Sequence, residues 1–251
     1  MKDHINFKGH FKIQAIDTAG EIVDEWEEDN LIMEDARETM SELFSNLNTN
    51  TFINKITLGT LGHVGDSIVT AKGKEDGFVK ERDRLFSEAP ASILNSSDIV
   101  ALIRKNDIFN INVTTAGYYK YIGDDITSYL INDTNVGDTT LWEYLGATAP
   151  YNYTINFDLP GTNASPTGTL AASITEDDVG AGSTVTVLQT GTSVKFTFDF
   201  APNAGNLQNG TTSIFTEAAL YSNNRIFSMK TFKAKIKDSA ILLRIVWTIT
   251  F

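Results

Sequence analysis

The chain contains no cysteine. A disulfide framework and a thiolate metal site are therefore excluded, and redox chemistry places no constraint on the compartment. Histidine is almost as scarce: only His4, His10 and His63 occur, and no two are spaced as a ligand pair. The motifs H-E-x-x-H and G-x-S-x-G are absent. The adjacent acids Asp124/Asp125 and Asp177/Asp178 point apart along the backbone, as solvated loop acids do, and not toward each other as a glycosidase pair must. We expect no catalytic residue, no bound cofactor and no metal. No apolar run approaches the roughly 20 residues that span a bilayer, and Met1-Lys2-Asp3-His4-Ile5-Asn6 opens no apolar signal segment. Positive charge is also short. Twenty Lys and Arg face 32 Asp and Glu, a formal net charge of −12. That balance argues against a nucleic-acid backbone as partner and favours solubility at high local concentration.

What the chain has is alternation. From Ile241 to Phe251 every odd position is apolar: Ile241, Leu243, Ile245, Trp247, Ile249 and Phe251. A period of two is one face of a β-strand. We therefore expect Ile245, Trp247, Ile249 and Phe251 to define the core. Similar alternation marks 9–31, read as a hairpin turning at Asp17-Thr18-Ala19-Gly20. It also marks 52–60, 151–159, and a hairpin over 183–188 and 192–200. The segments 213–222, 225–235 and 239–251 read as a three-stranded meander with turns at Asn223-Asn224 and Lys237-Asp238. Residues 98–104 and 107–114 read as another hairpin. Between 33 and 47 the period changes. Met33, Ala36, Met40, Leu43, Phe44 and Leu47 fall on one helical stripe, which puts Met40 and Phe44 in the core. The expected fold is mainly β. An antiparallel, sandwich-like domain is built from residues 1–60 and 211–251, carries one α-helix near 33–47, and holds residues 61–210 as a β-rich insertion or second lobe.

Several stretches invite functional readings. Asp24, Glu25, Glu27, Glu28 and Asp29 surround Trp26; they form either a solvated strand face or an electrostatic docking patch. The run Gly59-Thr60-Leu61-Gly62-His63-Val64-Gly65-Asp66 lacks the spacing and the following Lys-Ser/Thr of a phosphate loop. The run from Asp133 to Asp138 has a calcium loop's acids, but its glycine comes one place early and its twelfth position is Tyr144 instead of Glu. Glu217 sits in an apolar strand and needs a partner if buried; Arg225 and Arg244 are the candidates. Tyr118, Tyr119, Tyr121, Trp142 and Tyr144 form an aromatic group that could contact a glycan or a protein partner, or fill a strand core.

Two stretches carry a resemblance. One runs Glu28-Asp29-Asn30-Leu31-Ile32, through Arg37, Met40 and Leu43-Phe44, to Ile56-Thr57-Leu58-Gly59-Thr60. The other runs Phe215-Thr216-Glu217-Ala218-Ala219-Leu220-Tyr221, through Arg225-Ile226-Phe227, to Trp247-Thr248-Ile249-Thr250-Phe251. An N-L-I opening, a helix and L-G-T, followed much later by E-A-x-L-[FY] and W-T-I-T-F, resembles structural proteins of tailed bacteriophages. The resemblance covers about 60 residues at the front and 40 at the back. It implies a non-enzymatic component located in the virion, in the tail, baseplate or neck/collar, with capsid decoration or a head fibre as the alternative. The implied partners are other virion proteins and further copies of the chain as a homo-oligomer. From a different class, a carbohydrate-binding adhesin would use the five aromatics on a host surface glycan.

Overall fold

Strands are the consequence of that alternation. The computed structural model describes residues 8–33, 35–45, 53–64, 67–68, 78–79, 93–148, 152–158, 169–171, 173–176, 182–206 and 212–251. In chain order the elements are β1 (Lys8–Ile16), β2 (Ile22–Met33), α1 (Asp35–Ser45), β3 (Ile53–Gly59), β4 (His63–Val64), β5 (Ser67–Ile68), β6 (Phe78–Val79), β7 (Ile93–Asn95), β8 (Ile99–Ile103), β9 (Ile108–Asn112) and β10 (Gly117–Tyr121). They continue as β11 (Ile126–Leu130), α2 (Asp133–Val136), β12 (Trp142–Gly146), β13 (Asn152–Asp158), β14 (Thr169–Ala171), β15 (Ser173–Glu176), β16 (Thr184–Thr190), β17 (Ser193–Phe200), β18 (Ser213–Ser222), β19 (Arg225–Lys237) and β20 (Leu242–Thr250).

The chain divides into two units, one of 1–58, 62–85 and 153–251, the other of 59–61 and 86–152. The first unit holds one long sheet in the order β14-β16-β17-β20-β1-β2-β19-β18-β3-β13-β15, with β6 beside β2. β2 is the corner. Ile22 and the run from Asp24 to Asn30 pair with β1, and Leu31 and Ile32 pair with β19. Past that corner the sheet folds back over itself. Phe157 on β13 meets Phe196 and Phe198 on β17, with ring centroids 6.5 and 5.5 Å apart. Phe11 on β1 stacks on Phe232 of β19 at 5.3 Å. The Phe157 contacts join strands far apart in the sheet order and the Phe11 contact joins the strands on either side of β2, so the unit is a mainly antiparallel sandwich whose two layers are continuous.

β20 lies in the middle of one layer, between β1 and β17. Its buried face is Leu243, Ile245, Trp247 and Ile249, none more than 1% exposed. At roughly 1.5–3 kcal/mol per buried large side chain, this face contributes on the order of 10 kcal/mol of gross stabilisation. Phe251, placed in the core by alternation alone, is 48% exposed. It lies one residue past the strand, beyond the reach of the facing layer. The helix forms where its period indicates, with Ala36 and Met40 buried and Asp35 and Glu38 in its first turn, where the helix dipole favours acids. It packs on β19 and β2. The side chains of Leu43 and Phe44, and residue 47, lie outside the described residues.

Three expectations are corrected. First, β18 and β19 form their hairpin, but β20 does not continue a meander. Both sides of β19 are taken by β18 and β2, and β20 lies in the other layer. The Asp238 turn is therefore an arch between layers. Second, β8 and β9 are not paired. The turn at Arg104–Asp107 forms, with the Asp107 N–H donating to the Arg104 carbonyl at 3.0 Å. The strands then part: β8 joins β11, and β9 joins β10 and β7. Third, residues 153–206 are not part of an insertion. β16 and β17 extend the layer that holds β20 and β1, and the second unit is confined to 59–61 and 86–152.

Gly62 marks a close approach. Its N–H donates to the Thr216 hydroxyl at 2.8 Å, and a Cβ there would overlap the Thr216 carbonyl. Gly62→Ala is expected to cost about 1–3 kcal/mol. Trp247→Ala is expected to cost about 3–5 kcal/mol, against less than about 1 kcal/mol for Thr248→Ala on the opposite face. Urea unfolding of the full chain measures all three, and equal costs for Trp247→Ala and Thr248→Ala would contradict the assigned strand faces.

Candidate functional site

The acidic strand resolves into an internal ion-pair system. On the outer face of the β1–β2 ladder, Lys12 Nζ lies 2.8 Å from Glu25 and 3.4 Å from Glu27, and Gln14 donates to Glu25 at 2.5 Å. His10 reaches Asp29 at 3.5 Å. On the other face β19 supplies the cations. Lys230 pairs with Glu28, and the fully buried Lys235 pairs with Asp24 at 2.6 Å. The hydrogen bond to Glu25 holds Lys12 above its ordinary value, and the same bond holds Glu25 below its own. Four of the five acids meet a lysine and Asp29 lies beside His10, so the charge run forms a structural ladder within the fold.

The aromatic group is drawn together in the second unit. Its four-stranded sheet runs β12-β10-β9-β7, beside the β11–β8 ribbon. Trp142 stands at the centre, with ring centroids 5.0 Å from Tyr121, 5.8 Å from Tyr129, 6.0 Å from Phe109 and 6.4 Å from Tyr119. Its Nε1–H donates to the Tyr129 hydroxyl at 3.0 Å. Tyr119, Tyr121 and Trp142 are buried, and burial pushes both tyrosines above the ordinary phenol value. Of the five aromatics proposed for a glycan or partner, these three are core. Tyr118 is half-buried, and only Tyr144 is open to solvent, its ring on Tyr119 at 5.0 Å. The correction has a simple cause. A unit of this small size needs large rings to build a core at all, and Trp142 and Tyr121 are directly cross-strand. Tyr129, which completes the cluster, was not legible as a partner because it arrives from β11.

The acid-rich run from Asp133 closes on protein groups. Asn132 caps α2, accepting from the Asn135 N–H at 2.7 Å. Asp133 accepts from the Thr114 N–H at 2.6 Å, and Asp138 from the Thr140 N–H and hydroxyl at 2.9 and 2.6 Å. The Thr114 bonds hold Asp133 below its ordinary value, and the Thr140 bonds do the same for Asp138. Among the described residues, no group of three or more His, Asp or Glu is arranged to hold a metal ion. Glu217 is fully buried opposite Thr231, but neither expected arginine serves it. Arg225 binds Glu42 of α1 at 2.6 Å, and Arg244 forks onto Asp199 at 2.6 and 2.7 Å.

One polar site was not anticipated. Lys237, at the end of β19, is fully buried. Its ammonium donates to the carbonyls of Pro202 and Asp238 at 2.7 and 3.1 Å and to Asn206 Oδ1 at 3.3 Å. Burial pushes it down to about 8. Read by hydropathy, Ile236 belongs inside and Lys235 and Lys237 outside. The reverse holds, because β19 carries an irregularity opposite Phe215–Glu217 that resets its alternation.

Trp142→Ala is expected to cost about 3–5 kcal/mol, and Tyr144→Ala less than about 1 kcal/mol, by denaturant titration followed in the near-ultraviolet. For Asp133 the folded value is the lower one, so its stabilising contribution is present above the ordinary 3.8 and is lost as pH falls through the folded value. Asp133→Ala is expected to flatten the acid limb of the stability curve. Equal acid limbs in both proteins would show that the Thr114 bonds contribute nothing. In comparisons with known protein families, with curated proteins and with solved structures, no match to this chain is found.

Proposed function

We propose that the chain is a non-enzymatic structural component of a tailed-bacteriophage virion, held in the tail, baseplate or neck/collar by protein–protein contacts. The observation that carries this reading is the adjacency of the two stretches on which the resemblance rests. They are separated by about 150 residues of sequence, yet their strands β20, β2, β19, β18 and β3, joined by β1, are consecutive in one sheet. Motifs that resemble a family at both ends of a chain describe one structural unit only if the ends meet, and here they do.

The surface chemistry agrees with assembly. Each unit exposes large apolar side chains: Ile22, Val23, Ile214 and Ile236 in the first, and Ile99, Leu102, Ile126 and Leu130 on the β8–β11 ribbon of the second. Ile99 and Leu130 are direct cross-strand neighbours, so one end of the ribbon exposes an apolar pair of the kind that protein contacts cover. An adhesin has less support, since Trp142, Tyr119 and Tyr121 are withdrawn into a core.

Two measurements test the proposal. Light scattering of the purified chain is expected to give a mass above the 27.6 kDa of one copy, and peptide mass spectrometry of purified phage particles is expected to find it. A strict monomer missing from particles would end the reading. Glycan-array binding lost on Tyr144→Ala would instead favour the adhesin.

A further inference from the structure

We propose that Lys237 and Asn206 condense into an intramolecular isopeptide bond, an amide from Lys237 Nζ to the Asn206 side-chain carbon, which staples the two layers of the first unit. The inference does not depend on the virion reading. It rests on what surrounds the Lys237 ammonium.

The nucleophile is built in. Lys237 is fully buried and hydrogen-bonded to neutral carbonyl oxygens, those of Pro202, Asp238 and the Asn206 side chain. Among the described residues, no carboxylate is hydrogen-bonded to its nitrogen to hold the proton in place. With its value at about 8, roughly a tenth of molecules carry the neutral amine at neutral pH, against fewer than about one in a thousand for a free lysine. Desolvation of this kind is how a lysine amine becomes a nucleophile.

The electrophile is held beside it. Asn206 Oδ1 accepts from Nζ, and Asn206 Nδ2 donates to the Pro202 carbonyl at 2.7 Å. The attacking and departing nitrogens therefore share one acceptor oxygen. A turn of the terminal amide, a soft torsion, leaves its carbon in place beside Nζ and swings the face of the carboxamide toward the amine. The segment that presents Asn206 is fixed. The Ala204 N–H donates to the Ala201 carbonyl at 2.9 Å, the Ala201 N–H to the Ser183 hydroxyl at 3.0 Å, and the Ser213 hydroxyl to the Gly205 carbonyl at 2.9 Å. Gly205 adopts φ 69° against the Tyr153 ring, a conformation that suits glycine. Holding both groups in place in this way replaces a costly encounter with an intramolecular step.

The reaction balances without a co-reactant. The amine lone pair attacks the carboxamide carbon and the new C–N bond forms. The bond from that carbon to Nδ2 breaks, and the departing nitrogen takes the proton given up by the amine and leaves as ammonia. The product links the turn after β17, in one layer, to the end of β19, in the other.

Intact-mass spectrometry of the purified full-length chain is the test. We expect a mass below the sequence value by one ammonia, about 17 Da, and a branched peptide joining the segment of Asn206 to that of Lys237. Asn206→Ala and Lys237→Arg are each expected to return the full mass of their own sequence. Asn209-Gly210 can also lose ammonia by closing to a succinimide, but its peptides stay linear and hydrolysis opens it to aspartate or isoaspartate. The wild-type peptide map decides the matter even if a variant fails to fold. A wild-type chain at full sequence mass, or one lighter by ammonia with only linear peptides, overturns the proposal.

Discussion

The pairing of β1 with β20 is the constraint on which the first unit depends. It brings the first described strand against the last, in an unbroken register from Lys8 opposite Thr250 to Ile16 opposite Leu242. That register puts Phe11 beside Trp247, with ring centroids 4.8 Å apart, and Phe11 in turn stacks on Phe232 of the facing layer. Without it, β16 and β17 would have no route to the rest of the sheet, because among the described strands β20 alone links them to β1. The unit is therefore assembled by its longest-range contacts. Such topologies pay the entropy of closing a long chain before the hydrophobic return arrives.

Charge is used in this fold to shape the corner. β2 has to leave one layer and enter the other, so its two faces meet different neighbours. The acids on one face are met by Lys12 from β1, and those on the other by Lys230 and Lys235 from β19. Exposed pairs of this kind add little stability individually. Lys235 differs, since a fully buried ammonium without Asp24 would be strongly unfavourable. The pair thus ties the position of β2 to that of β19. Lys237, two residues on, is held by carbonyl groups, with no such carboxylate in its hydrogen-bond shell among the described residues. The two lysines show how position along one strand separates a structural ion pair from a poised amine.

The legible parts of the fold were those set by local pattern. The strands around Trp247, Phe196–Phe200 and Tyr153–Phe157, the hairpins of β1–β2, β16–β17 and β18–β19, and the helix over 35–45 all follow periodicity and turn residues. The misreadings at β8–β9 and β19–β20 share one cause. A short polar turn between two alternating strands looks the same whether the strands pair or part. The aromatic group was legible as a group but not as a core. Tyr119, Tyr121 and Trp142 alternate with polar residues, as a half-exposed platform also would, and Tyr129, which closes over Trp142, comes from a strand in another sheet. The buried lysines were hidden by an irregularity in β19 that has no counterpart in its sequence.

The amino-acid sequence by itself determined that this chain is β-rich, without thiol chemistry, strongly acidic, and furnished with an inward face on each long strand. Those properties are local, since each follows from a residue and its near neighbours. Which strands became neighbours, which layer each joined, and which polar groups were carried inside were decided only in the tertiary structure. The reason is physical. A strand's hydrogen-bonding edge is chemically alike along its whole length, so its partner is selected by the packing of side chains contributed from elsewhere in the chain.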